Sequence, residues 1–190
     1  MVQEKTAMGD VMEAPGLSDL LKGEVAVVTG AAMGNGEAIA RGFARSGARV
    51  VLSDMNAEAL AATVASLRSK GADVIGVTGN VASYADCERL APKARAAFGD
   101  VSILINNAGI CRRVPAEDDD FIGSVEAQLT VNGLGSVHMV KALLDQLKAT
   151  RGRVVNIGSI ASFVATTGGI GYGMSKGAVL LMDSVAQIGC

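Results

Sequence analysis

From Val25 onward, short apolar runs alternate with longer stretches whose apolar positions recur every three or four residues. Five runs, Val25–Thr29, Arg49–Asp54, Asp73–Val77, Ile103–Asn106 and Arg153–Ile157, read as strands. They are nearly continuous in apolar residues, as expected of strands covered on both faces. Helical periodicity occupies Gly36–Ser46, Ala57–Lys70, Tyr84–Phe98 and much of Glu117–Ala149, with Glu117–Asp120 expected as a solvated start favoured by the helix dipole. Asn56 and Ser83 suit helix N-caps, the latter with Asp86 three positions on, and Gly47 and Gly71 suit C-terminal stops. Strand–helix alternation with short loops implies right-handed crossovers and a parallel sheet, an α/β class. Residues 1–16 read as a flexible tail ending at Pro15-Gly16, and 17–190 as one domain without internal repeats.

Composition narrows the function classes. Of the 190 residues 49% are hydrophobic and 19% charged, and the net charge of −2 gives no electrostatic reason to expect nucleic acid or an anionic membrane. Aromatic residues make up only 3% and tryptophan is absent, which disfavours base-stacking platforms. The 24 glycines, among many small aliphatic residues, suit helices packed closely on a buried sheet. Cys87, Cys111 and Cys190 form no C-x-x-C pair, and His138 is the single histidine, so neither a disulfide framework nor a metal site is expected. Cys111 is expected as a small buried hydrophobe, and His138 as core or surface filler. The opening MVQEKTAMGDVMEAPG has early acids and no apolar run, unlike a signal peptide, and no segment matches a membrane span. The expectation is a soluble, cytoplasmic protein.

Candidate chemistry begins where the first strand runs into Thr29-Gly30-Ala31-Ala32-Met33-Gly34-Asn35-Gly36 and a helix follows. Glycines are needed where backbone turns sharply and where a pyrophosphate lies against main-chain N–H groups at a helix N-terminus. The spacing is T-G-x-x-x-G-x-G rather than G-x-G-x-x-G; alone, the string also fits a structural tight turn. Asp54 ends the second strand, where a carboxylate can accept bonds from adenosine ribose hydroxyls and repels a 2′-phosphate. Neither Met33 nor Ser53 supplies a positive charge to hold such a phosphate, so NAD is favoured over NADP. A solvated turn aspartate is the plainer alternative.

Further along, Asn106-Asn107-Ala108-Gly109 closes the fourth strand, Asn132 lies in the long helical stretch, Ser159 follows the fifth strand, and Tyr172 and Lys176 form Y-x-x-x-K. Each alone has a bland reading as turn, cap or half-buried side chain. In this order, spacing and context the set resembles the short-chain dehydrogenase/reductase family, from Leu20 to about Gln187. Tyr and Lys at i and i+4 share a helix face. Since free tyrosine has a pKa of about 10, a nearby ammonium is expected to lower that of Tyr172 and make it a usable general acid/base.

The resemblance implies a Rossmann-type doubly wound sheet of order 3-2-1-4-5 and catalytic residues Asn132, Ser159, Tyr172 and Lys176. Ser159 would bond the carbonyl or alkoxide oxygen, Lys176 would also hold the nicotinamide ribose hydroxyls, and Asn132 would fix a water linking Lys176 to solvent. The implied cofactor set is Gly30, Met33, Gly34, Gly36, Asp54, Asn80, Val81, Asn107, Ala108 and Gly109, with Tyr172 and Lys176. The implied activity is NAD-dependent interconversion of a secondary alcohol and a carbonyl on a polyol, sugar, 3-oxoacyl or similar small substrate. The implied assembly is a homodimer or homotetramer through the helix before the fifth strand and the Tyr-Lys helix. Arg112 and Arg113 are expected to face solvent rather than an anionic substrate.

Two departures stand out. Asn80-Val81 occupies the place of the family's usual Asp-Val, which touches adenine. The family also continues past the Tyr-Lys helix into two more strands, a Pro-Gly loop and a substrate lid. No segment here corresponds to them, so the expectation is a fragment or truncated product with an open fifth strand, weak NAD binding and little turnover. A catalytically silent dinucleotide-binding or interaction protein is the rival reading.

Overall fold

A computed structural model describes residues 19–164 and 167–185, so the expected tail over 1–16 lies outside the described residues, as does Cys190. The strands are β1 (Val25–Thr29), β2 (Arg49–Asp54), β3 (Val74–Thr78), β4 (Ile103–Asn106) and β5 (Arg153–Asn156). They form one parallel sheet in the order β3-β2-β1-β4-β5, with Val27 of β1 in register with Val51 of β2 and Leu104 of β4. Between them run α1 (Gly34–Arg45), α2 (Ala57–Arg68), α3 (Tyr84–Phe98), α4 (Phe121–Gln128), α5 (Gly135–Thr150) and α6 (Ile170–Val185). This is the Rossmann-type arrangement that the motif order implies.

Alternation along β1 shows how the sheet is covered. Val25 and Val27 pack into one core with Leu90 and Ala94 of α3 and Met139, Leu143 and Leu147 of α5. Ala26 and Val28 face a second core with Ala40 of α1 and Leu60, Val64 and Leu67 of α2. Because β1, β2 and β4 are sandwiched this way, nearly every residue in them is buried. The outer strands differ from the expectation. In β5, Arg153 is exposed and Val155 is 45% exposed, while Val154 packs on the first core. β3 likewise alternates buried and open positions. Apolar runs therefore marked the strands but overstated the cover of the outermost ones.

The expected caps form: Asn56 accepts from the Ala59 N–H and Ser83 from the Asp86 N–H. Gly47 and Gly71 follow their helices with left-handed φ. The long fourth helical stretch departs from expectation. Glu117–Asp120 form turns ahead of the helix, which starts at Phe121. Asp118 spends its side chain accepting from the Asp120 N–H, a local turn that competes with helix. Farther on, Leu129–Leu134 is π-helical, joining α4 to α5 without a break in right-handed backbone. Asn132 is buried within this segment, and Gly135, Ser136 and Met139 continue the buried face into α5.

Candidate active site

The C-terminal ends of β1 and β4 meet around Thr29. Its Oγ1 accepts from the N–H groups of Asn107 (3.1 Å) and Ala108 (3.0 Å), while the Asn107 Nδ2 donates to the carbonyls of Thr29 (2.9 Å) and Gly30 (3.2 Å). The Asn107 side chain is thus a brace for the end of β1. Gly30 lies so close to this brace that a Cβ there would sit 2.9 Å from the Ala108 Cα, and one on Gly36 would sit 2.1 Å from the Gly30 carbonyl oxygen. Both contacts are to backbone, so a side chain could enter only by moving the loop. Gly34, at φ +61°, has open space where its Cβ would be.

Helix α1 begins directly on this loop. Met33 is its N-cap, extended and 60% exposed, and gives no side-chain cap. The first N–H groups of α1 therefore lack a side-chain acceptor at the mouth of a glycine cradle, an arrangement suited to an anion. Beside it stands Asp54, whose Oδ2 accepts from the Ala32 N–H and Oδ1 from the Asn56 N–H, both at 3.0 Å. A carboxylate offers about four lone-pair sites, so these two bonds leave capacity for further donors. On the next turn the Asn80 Oδ1 accepts from the Ala82 N–H, and Val81 is buried with its carbonyl 2.9 Å from the His138 Nδ1. His138 also stacks obliquely on Tyr84 at 5.6 Å, so it is a specific clamp on the Asn80–Val81 turn rather than filler.

The other half of the site gathers on α6. Asn132 is 1% exposed: its Oδ1 accepts from the Ile110 N–H (2.8 Å), and its Nδ2 donates to the Ile110 carbonyl (2.9 Å) and the Ser175 Oγ (2.8 Å). That set spends both amide hydrogens, and the Asn132 carbonyl accepts from the Ser136 Oγ at 3.1 Å. Gly109 lies against the same side chain, its Cβ position 3.2 Å from the Asn132 Oδ1. Ser159 caps a 3-10 turn, Ile160–Ser162, through its Oγ, which accepts from the Ala161 N–H at 3.2 Å and keeps a hydrogen to donate. Ser162 in turn donates to the Lys176 carbonyl (2.9 Å), which ties this turn to α6.

Tyr172 is half-buried and Lys176 only 6% exposed. The Lys176 Nζ donates to the Ile157 carbonyl at 2.5 Å, just past the end of β5. Burial holds the Lys176 ammonium below the ordinary lysine pKa, because the charged form has given up its hydration. One N–H spent on Ile157 leaves two more to give.

A cavity of about 440 Å³ lies between the chain leaving the Asn107–Gly109 loop and the chain entering α6; Arg113, Glu117, Gly168 and Ile170 line it. Arg112 and Arg113 are both exposed as expected, yet Arg113 also borders this cavity. Cys111 is exposed rather than buried. The sequence reading missed the bracing roles of Thr29 and Ser175. A hydroxyl three residues after Tyr172 on the inward face was the available signal for Ser175.

Residues 24–187 match the model of the short chain dehydrogenase family. The chain belongs to this family, whose members are oxidoreductases. It is 32% identical over 173 residues to 2,5-dichloro-2,5-cyclohexadiene-1,4-diol dehydrogenase LinX of Sphingobium indicum, covering 90% of this chain and 69% of that protein. It is 37% identical over 166 residues to D-threitol dehydrogenase of Mycolicibacterium smegmatis, covering 87% of this chain and 64% of that protein. A short chain dehydrogenase/reductase from Burkholderia phymatum, solved in complex with NAD, superposes with a TM-score of 0.81 at 35% identity. That match covers 87% of this chain and 59% of the other. Among the described residues no helix is long and apolar enough to cross a membrane, and no group of His, Cys, Asp or Glu could hold a metal ion.

Proposed function

We propose that this protein is an NAD-dependent oxidoreductase that interconverts a secondary alcohol and a carbonyl, acting on a small polyol or diol. The observation that carries the reading is the convergence on α6: Asn132 and the Ser159 turn, from two other stretches of the chain, are tied to the helix that carries Tyr172 and Lys176. The uncapped start of α1, the cradle a Cβ would fill and the spare acceptor capacity of Asp54 fit a dinucleotide. Gly30, Met33, Gly34 and Gly36 would receive its pyrophosphate, Asp54 its adenosine ribose, Asn80 and Val81 its adenine, and Ala108 and Gly109 its far ribose. Bound NAD supplies the hydride acceptor or donor. Tyr172 moves the proton at the substrate oxygen, Ser159 donates to that oxygen as charge develops, and Lys176 orients the ribose hydroxyls and supports the Tyr172 phenolate. The diol and threitol dehydrogenases among the relatives support the substrate class.

Turnover with NAD across a panel of diols and polyols tests the activity. NAD should bind more tightly than NADP, and Asp54→Ala should narrow the gap, because the repulsion of a 2′-phosphate goes with the carboxylate. Equal affinities in the parent protein would sink the assignment of Asp54. The same reading makes the protein a homodimer or homotetramer. Leu134 and Val137 around the start of α5, and Met174 and Leu181 on α6, are exposed apolar residues on the helices that such an assembly would cover. Light scattering should give a mass above that of one chain, and a strict monomer would count against it.

A further inference from the structure

We propose that Ser175 is a positioning residue that holds the Tyr172–Lys176 face of α6 in register with the cofactor side of the site. Ser175 is fully buried, at 0% exposed, between the two reactive positions. Its Oγ donates to the Tyr172 carbonyl at 2.8 Å and accepts from the Asn132 Nδ2 at 2.8 Å. Through Asn132 the chain of bonds continues to both the N–H and the carbonyl of Ile110, the residue after Gly109. One hydroxyl therefore joins three segments distant in sequence: the loop leaving β4, the π-helical segment and α6.

The i, i+4 spacing fixes Tyr172 relative to Lys176 within the helix but says nothing of where that helix stands against the rest of the site. Gly173 packs close to the Ala161 carbonyl and Ser162 holds the Lys176 carbonyl, so the Ser159 side of α6 is tied by separate contacts. On the Ile110 side, Gly171 packs on Gln128 and Val125, and Ser175 supplies the hydrogen bond that links α6 through Asn132 to the loop. Without its Oγ, the buried Asn132 amide would lose an acceptor, and α6 would lose its hydrogen-bonded link to the Ile110 loop. A displacement of about 1 Å at a reacting centre can cost on the order of a hundredfold in rate, so a brace of this kind acts on turnover more than on binding.

The proposal rests on the reading of Tyr172 as the group beside bound nicotinamide, and its test separates the two. The sequence has two tyrosines and no tryptophan, so in a Tyr84→Phe background, excited where phenylalanine does not absorb, Tyr172 is the emitting residue. Saturating NAD should shorten the fluorescence lifetime of Tyr172 by contact quenching. In Ser175→Ala that shortening should fall by half or more, and kcat should drop about ten- to a hundredfold with NAD affinity near the parent's. Ser175→Cys, similar in volume but a weaker hydrogen-bonding group, should be intermediate, and it carries the test if the alanine variant does not fold. A merely structural role would lower the melting temperature and leave both the quenching and kcat intact below it, which overturns the proposal. No NAD-dependent change in the parent would overturn the placement of the cofactor beside Tyr172, and the proposal with it.

Discussion

Tyr172→Phe should lower turnover by about a hundred- to ten-thousandfold, the range spanned by a positioned general acid or base, while NAD affinity stays close to the parent's. The substitution removes one hydroxyl from a half-buried ring on α6 and leaves the ring's packing in place. In the structure the side chains of Asn132, Ser159 and Lys176 each have a defined structural bond to make: to Ile110 and Ser175, to Ala161, and to Ile157. Loss of the phenol therefore tests proton transfer with the rest of the framework intact. Steady-state rates on a responsive polyol, with NAD titrations in parallel, decide it. Near-parent turnover would show that the proton moves through another group.

Lys176→Met should remove turnover and weaken NAD binding together, since the same ammonium is assigned to both. Stability should move the other way. The ammonium is 6% exposed, and burial holds its pKa below the ordinary lysine value, so its charged form is disfavoured in the folded protein relative to the unfolded chain. The folded state then binds protons less readily than the unfolded state. The resulting penalty is fully present below the folded pKa and fades as pH rises through it toward the unfolded value near 10.5. Methionine fills the same volume without a charge. The variant should therefore melt no lower than the parent near neutral pH, and any advantage should shrink as pH is raised. Thermal melts across that pH range check the sign. A clear drop at neutral pH would mean that the 2.5 Å bond to the Ile157 carbonyl outweighs desolvation.

Both variants exploit a tension common at sites built for chemistry. A lysine buried against a β-strand end and a loop closed to side chains at Gly30 and Gly36 are poor choices for stability alone, and on the proposed reading each serves dinucleotide binding. The sheet absorbs that cost. Valine, leucine and isoleucine side chains of β1, β2 and β4 are buried on both faces, and the site sits at the C-terminal ends of these most firmly held strands.

By itself, the sequence determined the strand–helix alternation, the glycine loop, the caps at Asn56 and Ser83, and the identity of Asp54, Tyr172 and Lys176 as candidates. Those features are local: they follow from side-chain period, from turn chemistry and from spacing within one element, all of which a linear chain displays. Tertiary structure alone decided the rest. The Asn132 amide is consumed by Ile110, 22 positions away, and Ser175, 43 positions away, and no local pattern encodes such partners. The π-helical segment Leu129–Leu134 lies inside a stretch whose apolar period reads as ordinary helix, so local spacing does not mark it. Exposure at Val155 and at Cys111, burial of Lys176, and the clamp of His138 on Val81 depend on which neighbours the topology supplies. Burial and long-range hydrogen bonding are properties of the assembled fold, and the chain acquires them only when distant segments meet.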